Sequence, residues 1–582
     1  MRHSYYSPTA TTDPFSSLWH HGGNVLTTAS SNTFQKLKEV FLVWNHSRHQ
    51  KHWITTTTLT IIVAYGSYTF YKTILRRKQR QQKDASEVKL VSGALPWMGH
   101  LLDLHRDPDA LIHRGKTQVG PLFRIQLANN TNVYVLTGPW IDEMLHSPRR
   151  FNGYAGFQIV MPIERSIQIS YGHKFKPAPS NPRDKDPVGY TVRENFKPNN
   201  LGIFSARIQQ GFNKALNDIP QLQMGPGEMR IIQMEDTMAW MVSQISCLCL
   251  TGTEIGYNKD LVHTMRCLAP KIAKTALVLS FFPNWISEYI VQKYLSLEKD
   301  LDTIMEIVVP ELERIQNKDK RFLDGGDEED ESSFISMALN IPPKSNGTSR
   351  TPKEITIAFT KVALGSIDTT RDIVIFILYE LAYNPTLVQE LRVEIEKLDK
   401  RTPDTIQNIR LLDSILREVL RCKAISLTLL HKTSQDVRLS DKVIPHDSLV
   451  IGAINDAHMD PTVMKETTTM NESSIHPSSS PLTQFDPYRY MNITNNGEDD
   501  EKWKSTSIGP EFLTFGLSAH ACPGRFFAAY QVKYIVAELV MRYNIIPTIP
   551  SHERPKDHQF LGLTRTPPNI PLIFEGRSQE IM

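Results

Sequence analysis

Cys522 is the residue of this chain whose surroundings most clearly predict chemistry. It lies in the stretch F-G-L-S-A-H-A-C-P-G-R-F-F-A, residues 515–528, and its thiolate could bind a metal ion. Pro523 suits the first position of a helix, and Gly524 lets the backbone pass close to a flat group. The positive end of that helix would lie beside the sulfur and lower the pKa of the thiol. Apolar residues continue at three- and four-residue spacing as far as Tyr543, which predicts a helix with one buried face.

A carboxyl group and a hydroxyl group are adjacent in a second segment, Gly365-Ser-Ile-Asp-Thr-Thr370. The segment lies midway along a predicted helix that begins with the capping box Thr351-Pro-Lys-Glu354 and ends before Asn384-Pro385. A Gly and a Thr hydroxyl can open the helix locally, so that Asp368 and Thr369 could pass protons to a neighbouring group. The simpler alternative is that the Thr369 hydroxyl only bonds a carbonyl one turn back. If the register differs by one residue, Thr370 takes the place of Thr369.

A third set of polar residues consists of Glu418, Arg421 and Arg489. Glu418 and Arg421 are three residues apart on a predicted helix, which places them on one face. Arg489 ends the segment Phe485-Asp-Pro-Tyr-Arg489. Pairs of this kind are usually solvated, so the spacing alone indicates little.

These motifs together resemble the cytochrome P450 family. The Cys522 segment is similar to the family's haem-binding loop, F-x-x-G-x-R/H-x-C-x-G, with Ser518 in place of the usual Gly and His520 in place of the commoner Arg. In these details it looks like fungal microsomal members, such as the ent-kaurene oxidase-like group. The second segment resembles the oxygen-activating A/G-G-x-D/E-T-T motif, from which Ser366 departs. Glu418, Arg421 and Arg489 match the family's Glu-Arg-Arg cluster.

The resemblance implies a set of contacts to haem b, with Cys522 as the axial ligand of the iron. His520, Phe515 and Gly524 would contact the haem from the same loop. His431 and Lys432 stand where members place a basic partner for a haem propionate, ahead of His458-Met-Asp-Pro461, which resembles the family's H-x-D-P. The family's W-x-x-x-R is not found, and Arg193 is the nearest substitute.

The N-terminal residues predict a membrane anchor. From Trp53 to Tyr71 there is no charged residue, and a helix over residues 53–75 would span roughly 35 Å, enough for a hydrocarbon core of about 30 Å. A basic cluster follows at residues 76–83, which indicates that the remainder of the chain is cytoplasmic. The alternative is a buried helix of a soluble domain. Residues 1–52, rich in Ser, Thr and His, are interpreted as a mostly disordered lumenal tail.

The organisation that follows has four parts: a tail over 1–52, an anchor over 53–75, a basic linker over 76–89 and a catalytic domain over 90–582. The implied fold is mainly α-helical with a small β-rich part, and the strands Leu122–Leu127 and Asn132–Leu136 are predicted to pair through a turn at Asn129-Asn130. Segments 324–333 and 466–480 are predicted surface loops. The chain has 582 residues and a net charge of +3, so no overall charge recruits nucleic acid. Five cysteines are too few for a disulfide framework.

The implied reaction inserts one atom of O2 into a lipophilic substrate of terpenoid, steroid or fatty-acid size. Electrons would come from NADPH through a separate NADPH-cytochrome P450 reductase, because the sequence has no flavin or nicotinamide motif. The expected location is the endoplasmic reticulum membrane. The alternatives are a haem-thiolate isomerase, dehydratase or peroxygenase, and a non-catalytic haem-binding protein. The predicted substrate lining is aliphatic: Val362, Ala363, Leu364, Ile425, Leu427, Leu429, Leu561 and Leu563.

Overall fold

The structure is a computed structural model that describes residues 87–128, 131–174, 186–319, 332–461, 480–491, 503–518, 521–560 and 562–578. The predicted tail and anchor lie outside the described residues, as do nearly all of the linker, most of the two predicted surface loops, the Asn129-Asn130 turn, His520 and Leu561. Among the helices that are described, none is both long and apolar enough to cross a membrane.

Helices make up most of the fold. In chain order the α-helices are Leu101–Arg106, Pro108–Gln118, Pro139–Leu145, Gly153–Val160, Ile163–Tyr171, Pro187–Asn195, Ser205–Asp218, Met234–Thr251, Thr253–Gly256, Lys259–Phe281, Asn284–Tyr294, Glu298–Asp319, Phe334–Leu339, Pro352–Ser366, Asp368–Ala382, Pro385–Glu396, Pro403–Ile406, Arg410–Cys422, Ile454–His458 and Arg525–Arg542. Short 3-10 helices occupy Pro198–Phe204, Pro220–Leu222 and Ser551–Glu553.

The strands form a smaller part. They are β1 (Leu122–Gln126), β2 (Asn132–Leu136), β3 (Phe151–Asn152), β4 (Met229–Ile232), β5 (Thr428–Thr433), β6 (Val437–Leu439), β7 (Lys442–Ile444), β8 (Leu449–Ala453), β9 (Tyr543–Pro547), β10 (His558–Phe560), β11 (Thr564–Thr566) and β12 (Leu572–Gly576). The largest sheet has the order β1-β2-β8-β5-β3, and a three-stranded sheet has the order β4-β12-β9. The predicted pairing of the first two strands is confirmed, because β1 and β2 are antiparallel with Leu122 opposite Leu136.

One large apolar core holds the functional elements in place. The helices Met234–Thr251, Asp368–Ala382, Arg410–Cys422 and Arg525–Arg542 are buried over most of their length and contribute to it. The helix Asp368–Ala382 packs against both Arg410–Cys422 and Arg525–Arg542. The predicted mainly helical fold with a small β-rich part is confirmed.

Candidate active site

The loop that precedes Cys522 is fixed by its own backbone. The Cys522 amide donates to the Phe515 carbonyl (2.7 Å), and the Gly516 amide donates to the Leu513 carbonyl (2.8 Å). Among the residues of the loop that the structure describes, two have left-handed backbone angles, Gly516 with φ +72° and Ser518 with φ +56°. Left-handed angles favour glycine, so Ser518, the departure from the haem-loop pattern, lies where a side chain is strained.

The Cys522 side chain is accessible, yet enough protein surrounds it for burial to raise the pKa of its thiol. Accessibility combined with enclosure is what the wall of a cavity shows. The Gly524 and Arg525 amides and the Arg525 charge lower the pKa, as the helix start predicted, but desolvation is the largest cause and the net shift is upward. The helix start therefore lowers the pKa of the thiol as predicted, but desolvation of the free thiol outweighs it. A bound metal cation would deprotonate it.

His458 connects this loop to the helix Arg410–Cys422. Its Nε2 accepts from the Leu513 amide (2.8 Å), and its Nδ1 lies 3.1 Å from the Arg421 carbonyl. An amide can only donate and a carbonyl can only accept, so the ring must be neutral with the proton on Nδ1. Complete burial agrees with this state, because it lowers the pKa of His458 to about 3.

The predicted opening of the central helix is present as a break. The helix Pro352–Ser366 starts with the predicted Thr351–Glu354 capping box, and Ile367 separates it from Asp368–Ala382. Gly365 and Thr369 are exposed although much of the helix around them is buried, and a Cβ added to Gly365 would meet nothing within 4 Å. This face of the break therefore borders open space.

The Thr369 hydroxyl donates to the Gly365 carbonyl (2.8 Å), which is the contact that the simpler alternative predicts. A hydroxyl that donates one hydrogen bond can still accept others, so the bond to Gly365 does not prevent Thr369 from taking part in proton transfer. The Asp368 carboxylate accepts from Arg371 Nη1 (2.9 Å), and burial raises the pKa of Asp368. Thr370, the alternative residue, is buried.

The three members of the Glu-Arg-Arg set lie together. Arg421 donates to both oxygens of Glu418 (2.8 Å each), and Arg489 Nε donates to Glu418 Oε1 (3.0 Å). The Glu418 and Arg421 side chains are completely buried. A buried, bidentate arrangement of this kind fixes the helix Arg410–Cys422 to the chain around Arg489.

His431 and Lys432 point to opposite faces of β5, because side chains alternate along a strand. His431 is buried and shares its face with Leu429, which packs against a cluster that includes Leu513 and Leu517 of the cysteine loop. Lys432 lies on the other face and pairs with Asp447 (2.6 Å). Of these two residues predicted to stand near a haem propionate, only His431 faces the side of the loop, and the propionate contact stays a prediction.

Arg193 and the predicted substrate lining lie in several different parts of the fold. Arg193 is exposed on the helix Pro187–Asn195, which packs against Pro352–Ser366. Of the predicted lining, Val362, Leu364 and Ile425 are half-buried at the edge of the core, whereas Ala363 is fully buried within it. Leu427 lines a different cavity of about 360 Å³, beside Lys116 and Asp456. Ala363 and Leu427 are therefore removed from the expected lining.

The residues present fit a flat, iron-bearing cofactor. Cys522 offers an accessible sulfur at a helix start, and a Cβ built on Gly524, two residues later, would also meet nothing within 4 Å. Open space therefore lies beside glycines of both the cysteine loop and the helix break. The half-buried Arg371 and the buried Asp372 beside Asp368 were not predicted from the sequence, although their spacing of three and four residues from Asp368 could have indicated them.

Comparisons with known proteins agree with this assignment. The family model for cytochrome P450 matches residues 91–574, well over half of the chain. Cytochrome P450 monooxygenase ausG of Emericella nidulans is 28% identical over 363 residues, 60% of this chain and 63% of that protein. That match spans less than two thirds of the relative's length. Cytochrome P450 monooxygenase 110 of Postia placenta is 26% identical over 433 residues, 73% of this chain and 80% of that protein. The solved structure of retinoic acid-bound cyanobacterial CYP120A1 matches with a TM-score of 0.58 and 16% identity, over 85% of this chain and all of that one.

Proposed function

Because the chain belongs to the cytochrome P450 family, we propose that it is a haem-dependent monooxygenase that inserts one atom of O2 into a lipophilic substrate and releases the other as water. The observation that carries this proposal is the accessible Cys522 sulfur at the start of the helix Arg525–Arg542. A haem with a thiolate ligand supplies iron chemistry that favours O–O cleavage. We further propose NADPH as the electron source, through a separate NADPH-cytochrome P450 reductase, and attachment to the endoplasmic reticulum membrane through residues 53–75.

The roles of the chain's own groups follow from their positions. Cys522 would hold the iron, while the hydrogen bond from its backbone amide to the Phe515 carbonyl keeps the sulfur oriented. Thr369, on the open face of the helix break, donates or relays a proton, and Asp368 resupplies it. Val362, Leu364 and Ile425 provide an apolar border that favours a lipophilic substrate over water.

Ligand assignment is tested with Cys522→Ala. The reduced wild-type protein with carbon monoxide should show the red-shifted Soret band of thiolate ligation, and Cys522→Ala should lose it. Cys267→Ala, which removes another free cysteine, is the matched control and should keep the band. A red-shifted band that survives in Cys522→Ala would show that another residue ligates the iron.

The reaction class is tested by turnover. Lipophilic compounds that shift the spin state of the haem are incubated with NADPH, O2 and a separate reductase, and oxygen from labelled O2 is followed into product. A monooxygenase places one labelled atom in the product and one in water. Rearranged or dehydrated product without label would identify the isomerase or dehydratase alternative, and no product at all would favour a haem-binding protein.

A further inference from the structure

Two carboxylates share one guanidinium beside the helix break. Arg371 Nη1 donates to Asp368 Oδ1 (2.9 Å), while Arg371 Nε and Nη2 both lie within 2.8 Å of Asp372 Oδ1. The exposed fractions of the side chains are 23% for Asp368, 12% for Arg371 and 4% for Asp372. Asp372 is therefore the more deeply buried carboxyl group and the one that holds Arg371 more firmly.

The charges around this trio are unbalanced. Glu235, exposed in the first turn of Met234–Thr251, is close enough for its charge to raise the pKa of both carboxyls. Arg266 of the helix Lys259–Phe281 lowers the pKa of Asp368, but it also pairs with the exposed Asp236 (3.0 Å). Four carboxylates thus face two guanidiniums, and a buried carboxyl in such surroundings tends to keep its proton.

Asp372 is the group on which that proton is expected. Burial, as the largest cause, raises the pKa of Asp372 to about 7 even though Arg371 lowers it. The Asp368 pKa is also raised, by burial first and by Glu235. The exposed Glu235 is near enough to act on the charges of the trio, and Asp368 directly precedes Thr369 at the break.

We propose that Asp372 is a positioning residue that acts through Asp368: it fixes Arg371 and stores a proton that replenishes Asp368 during turnover. This inference rests on the proposed monooxygenase function and extends it by one residue. When Asp368 gives up a proton toward Thr369, one proton leaves the Asp372 carboxyl and one is taken up by the Asp368 carboxylate. Asp372 then regains a proton from solvent on the side of Glu235, and no electron moves in these steps.

The stored proton is tested by infrared difference spectroscopy of the full-length haem-loaded protein, titrated from about pH 5 to about pH 8, the range around a pKa near 7. The wild type should show a carboxylic acid C=O band that disappears as the pH rises, and Asp372→Asn should lack this band. Asp372→Glu should restore a band at a shifted frequency. Asp300→Asn, which removes another largely buried, ion-paired aspartate, should leave it unchanged. If the wild type shows no titrating band, or Asp372→Asn retains it, the proposal is overturned.

A second measurement asks whether the proton is used. Product formed per NADPH in Asp372→Asn should fall by about tenfold, less than the roughly 100-fold or more typical of a group that transfers the proton directly. The wild-type ratio should also fall with rising pH near neutrality, and this dependence should vanish in Asp372→Asn and return in Asp372→Glu. A wild-type ratio and pH dependence in Asp372→Asn would overturn the proposal. The infrared band needs no turnover, so its loss or retention is separable from a failure of the monooxygenase assignment.

Discussion

Thr369 has two interpretations that differ in one measurable quantity. As a proton donor or relay, its loss should leave haem binding and NADPH consumption intact while peroxide replaces product. Thr369→Ala is therefore expected to lower product per NADPH strongly, by roughly 100-fold or more. If the hydroxyl only bonds the Gly365 carbonyl, the ratio stays unchanged and stability changes slightly.

The control for Thr369 lies in the preceding helix, Pro352–Ser366. The Thr360 hydroxyl makes the equivalent bond to the Thr356 carbonyl (2.9 Å) but is buried, away from the break. Thr360→Ala should keep the wild-type ratio. A ratio in Thr369→Ala that equals that of Thr360→Ala, with normal haem content, would rule out proton transfer through Thr369.

Ser518, which stands in place of the usual Gly of the haem-loop pattern, has a strained backbone conformation. A φ of +56° costs an L-residue roughly 1–2 kcal/mol of folded-state stability. Glycine avoids this cost, but the greater conformational freedom of its unfolded chain offsets part of the gain. Ser518→Gly is expected to raise the free energy of unfolding by about 0.5–1 kcal/mol, measured by denaturant titration. Ser518→Ala keeps the strain without the hydroxyl and should bring no gain. An equal gain in both variants would show that the hydroxyl, and not the backbone, sets the cost.

At the scale of elements, His458 joins the helix Arg410–Cys422 to the cysteine loop only while its ring is neutral. Its pKa is about 3 in the folded protein and 6.5 as the ordinary value, so the unfolded chain binds a proton that the folded chain does not. Stability should therefore fall as the pH drops from about 6.5 toward 3, by up to about 1.4 kcal/mol per pH unit from this residue. Asp372, whose folded pKa is raised, contributes in the opposite direction over part of this range.

Comparison of variants isolates the histidine, because Asp372 is common to all of them. His458→Gln should be less stable at neutral pH but should lose stability less steeply on acidification, when unfolding free energies are measured between about pH 7 and about pH 4, the range that spans the ordinary pKa. His552→Gln, at an exposed site, should retain the wild-type slope. Identical slopes in His458→Gln and wild type would contradict the neutral, bridging ring.

The contacts between elements also show which parts of the site could be predicted from the sequence. The Glu418–Arg421 pair followed from helical spacing, but Arg489 lies 71 residues beyond Glu418, and only the family resemblance brought it in. The bridge through His458 depends on a carbonyl and an amide from two distant segments, which no local pattern encodes. For Lys432, the alternation of side chains along a predicted strand already places it on the face opposite to that of its neighbour His431.

At the scale of the whole molecule, the helical domain could be predicted from the periodic apolar pattern of its segments. The residues that border the cavity could not. Ala363 and Leu427 have the same apolar character as Val362 and Ile425, yet one is in the core and another lines a separate cavity. Which apolar residue faces empty space depends on how complete helices and sheets pack. Composition near a motif therefore identifies an apolar region but not its lining.

Membrane attachment is a property of the whole chain. Residues 53–75 are uncharged except for Lys72 and precede a basic cluster, so they are expected to be the main attachment. Deleting residues 1–80 should release most of the protein from membranes washed at alkaline pH. A second apolar surface exists on the helix Asn284–Tyr294, where Trp285, Tyr289 and Tyr294 are exposed.

The contributions of residues 53–75 and of the three exposed aromatic residues to membrane attachment are distinguished by changing each independently. Substituting Ser for all three aromatic residues in the full-length protein should leave it in the membrane pellet, because a spanning segment binds far more firmly than a surface patch. Combining these substitutions with the deletion should release whatever fraction the deletion alone retains. If the deleted protein stays in the pellet and the full-length aromatic variant is released, the helix Asn284–Tyr294 is the main attachment. In that case the assignment of an anchor to residues 53–75 is wrong.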